Sequence, residues 1–379
     1  MKILFLILLV NICQAAEHGH SIVQLSPQET WIETIRVPEK MSQEAIFFAP
    51  IGGTFAYLMS SGGKLLRKWK FPSHVYDVKL DNEGNILALY RDEKLNFRQA
   101  TGAVRLISKN GKVLWDYKNP NLHHSVSPTN HKTAMLIAHQ LVDDPRFKSD
   151  IFLKNKNLSC DIILEVDREN NIVWSVDLYK LVKIDDINKM KDRLSWFPSA
   201  DNQSICHTNS VREYDKTPFS DEPAVLVSIK NLDLVMLIDK KSKKILWQNK
   251  SGSSSNQHDA RLIGNWVYIF NNGPNNSEIN SQAIRLNILN DKREILFEKN
   301  SFMHMPWGSP TKSGVIPMNN GNFLIVLGDP GQIWEVTPDG LLVRKIIVLA
   351  SRLEYEMAST LFTVEKYDQR FLKSVGIVK

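Results

Sequence analysis

The chain has 379 residues, with 47 Lys plus Arg against 41 Asp plus Glu, 43% hydrophobic and 23% charged residues, and a formal net charge of +6. These proportions belong to a folded globular protein and exclude a disordered or collagenous chain. The positive charge is spread thinly, without the Lys/Arg block of a nucleic-acid-binding surface, so no nucleic-acid partner is expected.

The chain opens with Lys2, an apolar run from Ile3 to Ile12, and then Cys13, Gln14, Ala15 and Ala16. One basic residue, a short apolar segment and small residues predict a signal peptide over 1–16, cleaved after Ala15 or Ala16, and a periplasmic or secreted mature chain. The run is too short to span a bilayer, and no later apolar run is long enough. Cys160 and Cys206 remain after cleavage. An oxidising compartment permits them to pair, and the sequence leaves paired and separate thiols both open. Asn-x-Ser sequons begin at Asn157, Asn202, Asn249 and Asn275.

After a flank over 17–50, which is expected to supply strands, one phrase recurs through a domain read as 51–379. It consists of alternating apolar residues, a polar turn, and a second apolar strand ending in a large side chain. It occupies Tyr57 to Trp69, Val104 to Trp115, Ile163 to Trp174, Met236 to Trp247, Ile284 to Phe297 and Ile333 to Arg344, and each copy predicts a β-hairpin. The turns are placed at Gly63, Gly111, Asn170, Lys243, Arg293 and Gly340. That spacing suits one four-stranded blade per repeat, with insertions in the second and third gaps. Between hairpins, the phrases beginning at Asp81, Leu262 and Asn319 each lead into a strand apolar on both faces, read as an inner strand packed between neighbouring blades. The one helical candidate covers 184–194. The fold class is therefore all-β, a six-bladed β-propeller, and the tail with Leu361 is expected to close the ring.

Four histidines precede these apolar strands in consecutive repeats: His74 before Ile86, His124 before Met135, His207 before Val225 and His258 before Val267. Equivalent positions in successive blades converge on the channel, so these imidazoles are expected to share one pocket. His123 neighbours His124. His18 and His20 near the mature terminus, His131 in a turn, His139 beyond an apolar run and His304 in its own context carry less. No metal is expected: no HxH or HExxH spacing falls on one predicted element, and Lys230 and Arg261 would repel a cation. Phosphate-binding glycine loops are also absent, so no nucleotide cofactor is expected. Metal-free group transfer to and from an anion remains, with one imidazole as nucleophile, another as proton donor or acceptor, and cations holding the oxygens.

The phrases NLHHSV from Asn121, CHTNSV from Cys206, LVSIKNLDLVMLID from Leu226, NQHDAR from Asn256 and IFNNG from Ile269 together resemble the arylsulfate sulfotransferase family. The likeness runs from about Tyr57 to Gly340. It implies an exported six-bladed propeller that moves a sulfuryl group from an aryl sulfate to a phenol without a nucleotide donor, and it leaves a homodimer open. By the same resemblance, His258 is the sulfated histidine, His207 its acid/base or sulfate-binding partner, His124 (preferred over His123 for its register) the third participant, Asn209 a hydrogen-bond donor and Lys230 the cation. His123, Arg261 close to His258, and His74 in register with the other histidines are further candidates to bind substrate. Lys230 stands where the family carries Arg, a point charge in place of a planar fork. The alternative reading is a non-enzymatic envelope propeller that binds a partner.

Overall fold

The computed structural model describes residues 31–95, 100–145, 157–183, 185–187, 202–274, 281–298, 307–349 and 360–379. The leader expected over 1–16, His18, His20, His304, and most of the helix expected over 184–194 lie outside the described residues. Among the described residues, no helix is long and apolar enough to cross a membrane.

Each recurring phrase folds as an antiparallel strand pair and forms the outer half of one blade. The chain begins with β1 (Trp31–Arg36). β2 (Ala45–Pro50), β3 (Phe55–Met59) and β4 (Leu65–Lys70) belong to the first blade, and β5 (Val75–Leu80), β6 (Ile86–Arg91), β7 (Gly102–Ile107) and β8 (Val113–Lys118) form the second. The third has β9 (Leu122–Pro128), β10 (Ala134–Leu141), β11 (Asn157–Val166) and β12 (Ile172–Asp177), with β13 (Asn202–Ser204) added parallel to β11. The fourth has β14 (Thr208–Tyr214), β15 (Ala224–Ile229), β16 (Leu234–Asp239) and β17 (Ile245–Gln248). The fifth has β18 (His258–Ile263), β19 (Trp266–Asn271), β20 (Gln282–Asn287) and β21 (Arg293–Glu298), and the sixth has β22 (Gly314–Pro317), β23 (Phe323–Leu327), β24 (Gln332–Val336) and β25 (Leu342–Val348). β26 (Leu361–Tyr367) then pairs with β2 as the innermost strand of the first blade, and a short helix, α1 (Gln369–Ser374), follows it. β1 pairs with β25 at the outer edge of the sixth blade. The two ends of the chain thus close the ring from both sides.

The strands that touch one another around the axis are β5, β9, β14, β18, β22 and β26. β6, β19 and β23, read from the sequence as inner strands packed between blades, stand second from the axis. Their two apolar faces reflect packing between neighbouring blades, whereas a strand lining the channel must also present polar side chains to it. Six apolar clusters fill the six spaces between blades; one joins Leu87, Val104 and Trp115 of the second blade to Leu122, Val126 and Leu164 of the third. Five hairpin turns place a left-handed residue where the sequence indicated, at Gly63, Gly111, Asn170, Lys243 and Gly340. In the fifth blade that residue is Asp291 (φ 58°), and Arg293 instead opens β21.

The large residue ending each phrase ties one blade to the next. The indole Nε1 of Trp69 donates to Lys109 O, Trp115 to Asn170 Oδ1, Trp174 to Lys240 O and Trp247 to Asp291 Oδ1, in each case at the hairpin turn of the following blade. Phe297 takes the place without a donor and packs edge-on against Trp307. In the sixth blade the place falls to Arg344, which is buried and paired with Glu33 of β1 at 2.5 Å. The indole contact is supplied there by Trp31 of β1, whose Nε1 donates to Gly63 O across the ring closure. Cys160 and Cys206 form a disulfide with Cα atoms 4.8 Å apart, linking β11 to the segment entering β14. Asn249 is buried, and its side chain bonds to Val235 N, Asp233 O and two serines, so its sequon is closed to a glycan.

Candidate active site

The innermost strands carry the histidines at their entrances, and a register irregularity lies near each. Pairing shifts between Leu136 and Ala138 opposite β9, between Thr208 and Ser210 in β14, and between His258 and Arg261 in β18. A bulge re-aims the side chains beside it. His124 and His207 also have left-handed backbones, with φ of 59° and 52°, as do Asn256 and Asp259 on either side of His258. Outside glycine this conformation costs about 1–3 kcal/mol and persists only where surrounding contacts enforce it.

The structure brings His124, His207 and His258 together. The rings of His124 and His207 lie 4.7 Å apart between centroids. Phe362 of β26 lies edge-on to both His124 and His258, at 5.6 and 6.5 Å. His258 is buried, while His124, His207 and Lys230 are half-buried. Burial, then the nearby charge of Lys230, pushes His258 down to about 3. His207 is held well below the ordinary imidazole range by the same two causes, and His124 by burial and then by His207 and His123. All three are neutral at pH 7.

The tautomer of His258 follows from its partners. Nδ1 lies 2.7 Å from Asn272 Oδ1 and 3.0 Å from Asn256 O. Asn272 is oriented by its amide nitrogen, which donates to Ser309 O and Lys312 O, so its oxygen must face the ring. Two acceptors at Nδ1 place the proton there and leave a lone pair on Nε2.

His123 is turned away from this pocket into a buried cluster. Its ring stacks on His139 with centroids 3.7 Å apart and 8° between planes, and both donate toward Asp161 Oδ1 at 3.1 Å. His139, which carried little weight among the histidines of the sequence, is buried directly opposite Asp161 in the β10–β11 register. His123, His139 and Asp161 bring three ligand-type atoms within 4.8 Å. Rings stacked this closely direct their lone pairs along separate parallel planes, however, and a single ion cannot lie in both.

The remaining expected residues divide. His74 is half-buried at the entrance to β5, and its carbonyl accepts from Arg91 N. Asn209 is buried with its amide donating to Gln257 O at 2.7 Å, so it braces the segment that presents His258. Arg261 requires a correction as a substrate ligand. Its Nε bonds Asp259, Nη1 bonds Glu365, and Nη2 bonds Thr363 and the Val364 carbonyl, a structural network three residues beyond His258. Sequence reasoning missed Asn272, Asp161 and Phe362. Asn272 was visible only as part of IFNNG, and the other two emerge from pairing between strands distant in the chain.

The family model for Arylsulfotransferase (ASST) matches residues 77–348, from the innermost strand of the second blade through the sixth blade. No curated protein matches the chain. Among solved structures, a protein of unknown function from Bacteroides caccae is 12% identical, covers 86% of this chain and 100% of its own, and superposes with a TM-score of 0.51. A catalytically inactive virginiamycin B lyase from Staphylococcus aureus, solved with quinupristin, is 11% identical over 71% of this chain and 69% of that one, with a TM-score of 0.41. Hydrazine synthase from Kuenenia stuttgartiensis is 10% identical over 84% and 81%, with a TM-score of 0.45. At such identities the first likeness concerns the fold alone, and the other two carry no argument. The match over residues 77–348 spans His124, His207, Lys230 and His258, and the chain belongs to the arylsulfotransferase (ASST) family.

Proposed function

We propose that this protein transfers a sulfuryl group from an aryl sulfate to a phenol by a two-step exchange through His258, without a nucleotide sulfate donor. The observation that carries this reading is the bare Nε2 lone pair of His258, set by the bonds from Nδ1 to Asn272 and Asn256, in a pocket shared with two neutral imidazoles and Lys230. In the first step Nε2 attacks sulfur, the sulfur–oxygen bond to the aryl group breaks, and the donor phenolate leaves with the electron pair. In the second step an acceptor phenol attacks the sulfuryl group on His258, the nitrogen–sulfur bond breaks, and the phenol proton passes to a neighbouring imidazole. Lys230 offers positive charge to the sulfuryl oxygens, and Phe362 offers an apolar wall for the aryl ring. The buried disulfide agrees with an exported, oxidising location.

The test is turnover of a chromogenic aryl sulfate with and without added phenol. The expected result is phenol release that accelerates with acceptor and that disappears in His258→Ala. Release that does not respond to acceptor indicates hydrolysis, and equal release by His258→Ala overturns the reading.

A further inference from the structure

From His124 an unbroken hydrogen-bond chain leads into the protein. Asp161, fully buried on β11, has three donors around its carboxylate: His123 Nε2 and His139 Nδ1 at 3.1 Å, and Thr208 N at 2.6 Å. His123 Nδ1 in turn lies 2.6 Å from His124 Nδ1. Burial opposes the charge on Asp161, but the electrostatic attraction and hydrogen bonds of His123 and His139 outweigh it and hold the carboxyl well below its ordinary range. Burial also keeps His123 neutral, pushed down to about 4.

These contacts allow one proton arrangement. An ionised carboxylate only accepts, so His123 carries its proton on Nε2 and offers a lone pair at Nδ1. The short contact then requires His124 to donate from its own Nδ1. The remaining nitrogen of His124, Nε2, carries a lone pair. We propose that Asp161 and His123 are positioning residues that fix His124 as the general base for the acceptor phenol. This rests on the sulfuryl-transfer reading and adds to it a defined proton acceptor.

In the second step, the acceptor oxygen forms its bond to sulfur, the electron pair of the nitrogen–sulfur bond returns to His258 Nε2, and the phenol proton moves to His124 Nε2. The imidazolium so formed is stabilised through His123 by the Asp161 charge, and it later gives the proton to water, replacing the one taken up by the departed donor phenolate. The disulfide strengthens the arrangement. Cys160 and Cys206 are the immediate chain neighbours of Asp161 and His207, so the covalent link holds the carboxylate's strand against the segment that brings His207 to the pocket.

The experiment compares the intact protein with Asp161→Asn, His123→Asn and His123→Phe. Two readouts are taken: the tautomer of His124 by nitrogen-15 NMR of histidine-labelled protein, and the rates of the two half-reactions. In Asp161→Asn the amide donates to His123, reversing its tautomer and denying His124 its acceptor. His124 is expected to move its proton to Nε2, and acceptor-dependent turnover is expected to fall about 100-fold. The initial burst of phenol from an activated aryl sulfate should stay within a few-fold. His123→Asn keeps an acceptor oxygen facing His124 Nδ1 and should retain the native His124 tautomer and more acceptor-dependent turnover than His123→Phe, a comparison that decides the matter even if Asp161→Asn does not fold. An unchanged His124 tautomer in Asp161→Asn, or equal acceptor rates in the two His123 variants, overturns the relay. Absence of the burst in the unaltered protein contradicts the sulfuryl-transfer reading instead, while the tautomer still tests the relay.

Discussion

At the scale of single residues, the site is defined by groups held in states they would not adopt in water. Four imidazoles, His123, His124, His207 and His258, are kept neutral by burial. An unfolded histidine titrates near 6.5 and these do so lower, so below that pH the unfolded chain binds more protons and stability falls as pH falls. The stability they supply is complete above about pH 6.5 and is lost through pH 4 for His123 and pH 3 for His258. Each contributes a slope of up to about 1.4 kcal/mol per pH unit in that window. The buried carboxylates act with the same sign only as pH approaches about 4. Urea midpoints should therefore drop between pH 6.5 and 5, and His258→Gln should flatten the drop. A midpoint independent of pH there would contradict the neutral cluster. Lys230 offers a second test. Removing its charge in Lys230→Met should raise KM for the aryl sulfate by about 10- to 100-fold, the worth of one charged hydrogen bond, and Lys230→Arg should keep KM low.

At the scale of elements, the hairpin phrase reports both the blade and its fastening. Its terminal tryptophan is not simply apolar bulk, because the indole of each reaches the turn of the next blade. Trp115→Phe keeps most of the apolar contact, loses the bond to Asn170, and should cost about 1 kcal/mol in denaturant unfolding. The disulfide closes a span of 46 residues, and removing it in Cys160→Ser with Cys206→Ser should cost roughly 4 kcal/mol. The hairpins were legible because a turn and two alternating strands are local in sequence. The order of strands from the axis was not, because an apolar strand buried between blades and one lining a channel differ in what surrounds them. Nor was the partnership of His139 with Asp161 visible, since it arises only when β10 and β11 pair across a long connection.

At the scale of the whole molecule, the ring is closed by β1 at its outer edge and by β26 at its axis, where charge also holds the blades together. Arg212 and Arg261, from β14 and β18, share Asp259 and Glu365, the latter on β26. Lys79 of β5 pairs with Asp77 and donates to Val126 O of β9. This network draws five blades together beside the histidine pocket. The sequence showed Arg261 close to His258 but not which charges it would meet, so it read as a substrate ligand. Neutralising one partner leaves the others buried and unpaired, and Glu365→Gln should destabilise the fold by about 3–5 kcal/mol in urea unfolding. The convergence of His124, His207 and His258 was legible because a repeat turns equal sequence position into spatial proximity.

That His258 Nε2 itself carries the sulfuryl group is the step on which the exchange depends. It is tested most directly by mixing the protein with an aryl sulfate in the absence of phenol, quenching, and mapping the modified residue by peptide mass spectrometry. One SO3 adduct on His258 is expected, and it should disappear when phenol is added before the quench. Rapid phenol release with no adduct, or an adduct that persists in His258→Ala, would contradict it.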